Sequence, residues 1–78
     1  MMISAARVRE AVKKSGVDVD FEDIPLNMSF RENGVDSMDM MNIFLELEEE
    51  FGVKIPDEDV MKLDSIQSII DYLQEELS

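Results

Sequence analysis

Neither cysteine, histidine nor tryptophan occurs among the 78 residues of this chain. Without cysteine no disulfide supports the fold, and the polypeptide has no thiol of its own. Without histidine or cysteine a metal site would have to be built from carboxylates alone, so no metal centre is expected. The usual imidazole base and thiol nucleophile of covalent catalysis are missing too. No apolar run is long enough for a signal peptide or a membrane span. No alternating run is long enough for a sheet, and there is no internal repeat or low-complexity tract. These absences predict a soluble cytoplasmic protein without disulfides. A chain this short buries roughly 60% of its unfolded surface, enough for one small core, so residues 1–78 are expected to form a single domain.

Positive charge is scarce in one part of the chain only. Residues 1–31 balance five acids (Glu10, Asp18, Asp20, Glu22, Asp23) against five bases (Arg7, Arg9, Lys13, Lys14, Arg31). Residues 32–78 hold 14 acids against Lys54 and Lys62, which accounts for the whole net charge of -12. Such a field repels nucleic acid and anionic membranes and steers basic protein patches inward. An acidic surface that merely keeps a small protein soluble has the same composition.

The periodicity predicts an all-α fold, a small four-helix bundle with three main helices, a short third helix and a long loop between helices one and two. The first helix is expected from Ile3 to Ser15, capped by Ser4, with Val8, Ala11, Val12 and Ser15 near one stripe. Residues 17–36 show no sustained period and hold Pro25, Asn27, Asn33 and Gly34. Their scattered Val17, Phe21, Ile24, Leu26 and Phe30 predict a loop packed on the domain, with room for a short helical turn. Ser37 to Phe51 is the strongest helix. Asp36 or Ser37 caps it, Asp39 favours its positive end, and Met40, Ile43, Phe44, Leu47 and Phe51 form its buried stripe. Met38, Met41 and Leu45 make a second, outer line that continues into Glu48 and Glu49. Gly52 ends the helix. After the short link Val53–Ile55, Pro56 starts a brief helix from Asp57 to Met61. Asp64 or Ser65 caps the last, whose stripe is Ile66, Ile69, Ile70, Leu73 and Leu77.

Asp18-Val19-Asp20-Phe21-Glu22-Asp23 begins like a calcium loop but has Asp23 where glycine is needed and Ser29 where glutamate is needed, so it reads as solvated acids. Glu49 and Glu50 lie in a run of acids without a predicted cleft, which argues against acid–base catalysis. Ser37 stands at a helix start in Glu32-Asn33-Gly34-Val35-Asp36-Ser37-Met38. By itself an Asp-Ser pair before an apolar run is an ordinary cap. With Gly34 before it and the acidic, methionine-bearing helix behind it, an exposed and unactivated hydroxyl suits a group that another enzyme attaches. Methionine adapts to varied surfaces, which fits Met38 and Met41 for partner contact; packing on the loop or third helix is the alternative.

The stretch Gly34-Val35-Asp36-Ser37-Met38 resembles the attachment motif of acyl carrier proteins. The likeness continues in Leu47-Glu48-Glu49-Glu50-Phe51-Gly52, in Ile55-Pro56-Asp57-Glu58, and in Ile66-Gln67 through Ile70-Asp71-Tyr72-Leu73. The resemblance implies a four-helix carrier on which a phosphopantetheinyl transferase moves 4'-phosphopantetheine from coenzyme A to the Ser37 oxygen, with Asp36 flanking the site. It implies no catalytic residue in the chain itself. Acyl groups would ride as thioesters on the arm in fatty-acid, polyketide or related lipid biosynthesis. Asp36, Asp39, Glu48 and Glu49 would meet basic docking patches on acyltransferases, ketosynthases or acyl-activating enzymes, and Met38, Met41 and Leu45 would supply apolar contact. The acyl chain would tuck near Ile43, Phe44, Leu47, Met61 and Ile70. A monomer is expected. Asn33 stands where fatty-acid carriers usually have leucine, the loop before Ser37 is one residue short, and Asn42 replaces an acid, which implies a specialised carrier for one dedicated pathway. Aminoacyl and peptidyl carriers share the motif but tend to be less acidic. An acidic adaptor for basic helices, without a prosthetic group, is the alternative of another class.

Overall fold

The computed structural model describes residues 3–77, and every regular element among them is helical. Helix α1 spans Ala5–Lys14, α2 Ser37–Phe51, α3 Asp57–Val60 and α4 Ile66–Glu76, with a 3-10 turn at Arg31–Asn33. The first helix is shorter than the periodicity predicts. Ser4 is extended, and its Oγ accepts the Arg7 N–H (3.1 Å), while Ser15 is the carboxyl-terminal cap. Ile3 lies outside the helix yet is buried, and its N–H donates to Gln74 Oε1 on α4 (3.0 Å).

Helix α1 packs against both α2 and α4. Its Val8, Ala11 and Val12 face the core, as do Met40, Ile43, Phe44, Leu47 and Phe51 of α2 and Ile66, Ile69 and Leu73 of α4. The α2 stripe is the one its 3.6-residue period predicts. On α4, Ile70 and Leu77 are only partly buried at the edge of the core. Gly52 closes α2 in the left-handed conformation (φ 67°), where a residue with a Cβ is strained.

The long segment between α1 and α2 is irregular but tied down. Phe21 and Phe30 are fully buried and meet edge to face with centroids 5.9 Å apart. The Arg9 guanidinium donates to the carbonyls of Glu22 (3.2 Å) and Ile24 (2.9 Å). At its far end the segment is stitched to the start of α4. Phe30 N–H donates to Asp64 O (2.8 Å), Gln67 N–H to Leu26 O (2.9 Å) and Ser29 Oγ to Asp64 Oδ2 (2.8 Å). That leaves Ser65 to cap α4, through a reciprocal box with Ser68. The radius of gyration, 11.1 Å, matches the roughly 11.5 Å of a compact chain of this length, so the segment lies against the helices.

The third helix is a single turn, with Met61 as its cap rather than its last residue. It carries no buried residue and is held by Tyr72, whose hydroxyl donates to Asp59 Oδ2 (3.3 Å). Partial burial of Tyr72, and then the charges of Glu76 and Asp59, raise its phenol pKa.

Candidate functional site

The amino-terminal end of α2 is built on a closed turn. Phe30 and Val35 are buried at its two ends. Between them Asn33 N–H and Val35 N–H both donate to Phe30 O (3.0 and 3.2 Å), and Gly34 N–H donates to Arg31 O (3.2 Å). The Asn33 side chain donates to Ser29 O (3.0 Å), which gives this asparagine a structural use inside the turn. Gly34 is left-handed (φ 86°), and a Cβ there would meet nothing within 4 Å. Glycine is therefore required by backbone conformation, not by space.

Asp36 is the cap of α2. Its Oδ1 accepts the Asp39 N–H (2.9 Å), and Asp39 Oδ2 accepts the Asp36 N–H (3.4 Å) in return. This settles the choice between two adjacent candidate caps and frees the Ser37 hydroxyl. Ser37 is the first residue of α2, is exposed, and makes no side-chain hydrogen bond among the described residues. Its charged neighbours along the chain, Asp36 and Asp39, are engaged with each other's backbone N–H groups as the cap of α2.

Ser37 stands at the rim of a cleft of about 460 Å³. One wall is α2, through Met40, Met41, Phe44 and Leu45. The other is the link and α3, through Ile55, Val60 and Met61. Arg31, Ser37, Glu48 and Asp57 are its polar lining. Of the five residues expected near an acyl chain, Phe44 and Met61 line this cleft. Ile43 and Leu47 are instead fully buried, because they lie on the stripe that faces the core, and Ile70 packs at the core's edge. Met40, Met41, Leu45, Ile55 and Val60 occupy the walls in their stead. The sequence held little sign of this, since the cleft joins residues from 31 to 61 across a turn and a link without periodicity. Arg31 and Asp57 were equally illegible as neighbours of Ser37.

The outer line of α2 is exposed. Met38 is 76% accessible, Met41 64% and Leu45 57%, and Met61 beside them is 80%. Asp36 and Glu49 are exposed beside this line, and Asp39 is half-buried. Glu48 is half-buried, and its Oε2 accepts the Ile55 N–H (2.7 Å), which fixes the link against α2. Among the described residues no group of three or more His, Cys, Asp or Glu could hold a metal ion, and no helix is long and apolar enough to cross a membrane.

An open hydroxyl at a helix start, with an apolar cleft opening beside it, can receive a long flexible substituent without steric conflict. The family described as the phosphopantetheine attachment site matches residues 5–73. Among solved structures, the chain is similar to butyryl-ACP from the actinorhodin polyketide synthase of Streptomyces coelicolor, with 26% identity, a TM-score of 0.77, and 99% of this chain and 93% of that one covered. Hexanoyl ACP from the same synthase superposes with a TM-score of 0.81 at 24% identity, covering 96% and 91%. The fold, the motif and the family match over most of the chain agree: this chain belongs to the phosphopantetheine attachment-site family, as an acyl carrier protein that bears its cargo on a covalent 4'-phosphopantetheine arm.

Proposed function

We propose that Ser37 is the attachment residue and that residues 1–78 act as one non-catalytic, monomeric carrier domain in the cytoplasm. The observation that carries this reading is the exposed Ser37 hydroxyl, left without a hydrogen bond because Asp36 takes the capping role. A phosphopantetheinyl transferase supplies the base that the chain lacks. Ser37 Oγ forms the new bond to phosphorus, the phosphoanhydride of coenzyme A breaks, and 3',5'-adenosine bisphosphate leaves. Once attached, the arm supplies the thiol on which an acyl group is carried as a thioester. The apolar cleft, with Phe44 and Met61 from the expected set and Met40, Ile55 and Val60 beside them, shelters the cargo end. Ile43, Leu47 and Ile70 back the core behind it. The likeness to carriers from the actinorhodin polyketide synthase supports a polyketide-type or related lipid pathway with a dedicated set of acyltransferases, ketosynthases or acyl-activating enzymes.

Docking runs through Met38, Met41 and Leu45, ringed by Asp36, Asp39, Glu48 and Glu49. Charge at the rim sets the encounter rate, and apolar contact sets the lifetime. Glu49 is the cleanest probe of the first, because Asp39 and Glu48 also hold backbone N–H groups of their own chain. Glu49→Lys is expected to slow association with the transferase at low salt, and Met41→Ala to speed dissociation.

Intact mass tests the attachment site. The chain produced with a phosphopantetheinyl transferase should gain one phosphopantetheine, and Ser37→Ala should gain none. A gain that persists in Ser37→Ala sinks the site. No gain on the unaltered chain would favour the adaptor for basic helices, and selective loading with amino acids would favour an aminoacyl carrier.

A further inference from the structure

We infer that Arg31 pairs with the phosphodiester of the arm attached to Ser37 and so holds the root of the arm over the α2–α3 cleft; this rests on the attachment reading above. The phosphodiester adds a negative charge at a place already crowded with them. Asp36 and Asp39 cap the helix on which Ser37 sits, and Asp57 and Glu48 line the same cleft. The helix start favours an anion, but its capping carboxylates already occupy that favourable field.

Among the described residues, Arg31 is the one basic residue lining the cleft with Ser37. The other bases of the balanced half are engaged elsewhere. Arg9 holds the loop carbonyls, Lys13 pairs with Glu22 at 2.8 Å, Lys14 pairs with Glu50 at 3.5 Å, and Arg7 lies over the Phe51 ring at 4.8 Å. The Arg31 guanidinium makes no ion pair or hydrogen bond among the described residues. Its backbone is fixed, since Arg31 N–H donates to Ser29 Oγ (3.2 Å) and Arg31 O accepts Gly34 N–H. A cation on a fixed backbone, free of internal partners and lining the same cleft as the attachment hydroxyl, is matched to an oxyanion attached there. The planar guanidinium offers parallel N–H donors that match two phosphate oxygens, a fixed fork that an ammonium lacks.

The test uses protein whose phosphopantetheine has been verified by intact mass, with methyl-labelled methionine. In the unaltered holo protein the Arg31 Nε–H signal should shift downfield from its apo position. The geminal methyls of the arm should show nuclear Overhauser contacts to the Met41 and Met61 methyls. In Arg31→Gln, which replaces an exposed side chain and should leave the melting temperature in place, those contacts should fall at least twofold; Arg31→Lys should retain an intermediate share. An Nε–H signal identical in apo and holo protein overturns the pairing, and contacts of full strength in holo Arg31→Gln overturn the holding role. Either result, obtained with the mass gain present, defeats this inference alone. A missing mass gain defeats the attachment reading instead.

Discussion

Residues 5–30 and residues 37–61 use charge in opposite ways. In the first region most bases are engaged within the fold. Arg9 clamps the loop, Lys13 pairs across it, and Lys14 and Arg7 reach to α2. In the second, the carboxylates at the helix start serve as caps, Glu48 fixes the link, and Met38, Met41 and Leu45 stand exposed along α2. The first region uses its polarity to hold an irregular segment in place. The second keeps its surface available, which is what a protein visited by several enzymes requires.

The sharpest way to break the comparison lies within α2 itself. Leu47 and Leu45 are the same residue two positions apart, one fully buried and one 57% exposed. Leu47→Ala is expected to cost about 2–5 kcal/mol in denaturant unfolding, by opening a cavity in the core. Leu45→Ala should stay within about 0.5 kcal/mol and change transferase binding instead. Equal losses at the two positions would place Leu45 in the core.

Next comes the clamp. Arg9→Met removes two charge-assisted hydrogen bonds to loop carbonyls and is expected to cost roughly 1–3 kcal/mol. Amide exchange should accelerate around Glu22 to Ile24 more than in α4. Uniform acceleration would mean that Arg9 supports the whole fold rather than the loop.

The cap assignment gives a smaller effect. Asp36→Ala is expected to cost about 1 kcal/mol, whereas Ser37→Ala should be neutral within about 0.5 kcal/mol. Comparable losses would make Ser37 a co-cap and weaken the case for its free hydroxyl.

The smallest effect concerns a like-charge pair inside the tied region. The Asp23 carboxyl is pushed above its ordinary 3.8 by the hydrogen bond its protonated form donates to the Asp20 carboxylate and then by Asp20's charge. The folded chain therefore binds this proton more tightly than the unfolded chain. The contribution of Asp23 to stability is greatest when it is protonated, and it declines as pH rises from about 3.8 through the raised folded value. Asp23→Asn should raise the melting temperature slightly at pH 7, and the gain should disappear below pH 3.8. A gain that is independent of pH would assign the effect to something other than this proton.

The amino-acid sequence by itself determined the helical class, the bounds of α2 from Ser37 to Phe51, its five buried positions and the place of the serine motif. These are local properties: a 3.6-residue period, a glycine able to turn left-handed, and the short reach of capping side chains. The acidic bias of residues 32–78 is likewise a sum over the sequence. Only the tertiary structure decided between neighbours of equal local merit, choosing Asp36 over Ser37 as the cap of α2 and Ser65 over Asp64 as the cap of α4. At α4 the reason is that Asp64 is already bound to Ser29 and Phe30, from a segment more than 30 residues away. Tertiary structure also made the cleft, since Arg31, Ser37, Phe44, Ile55 and Met61 meet there only once the turn, α2 and α3 have packed. Periodicity tells which side of a helix is apolar. Which part of that side meets the core, and which part meets an open cleft, depends on where the other elements come to rest.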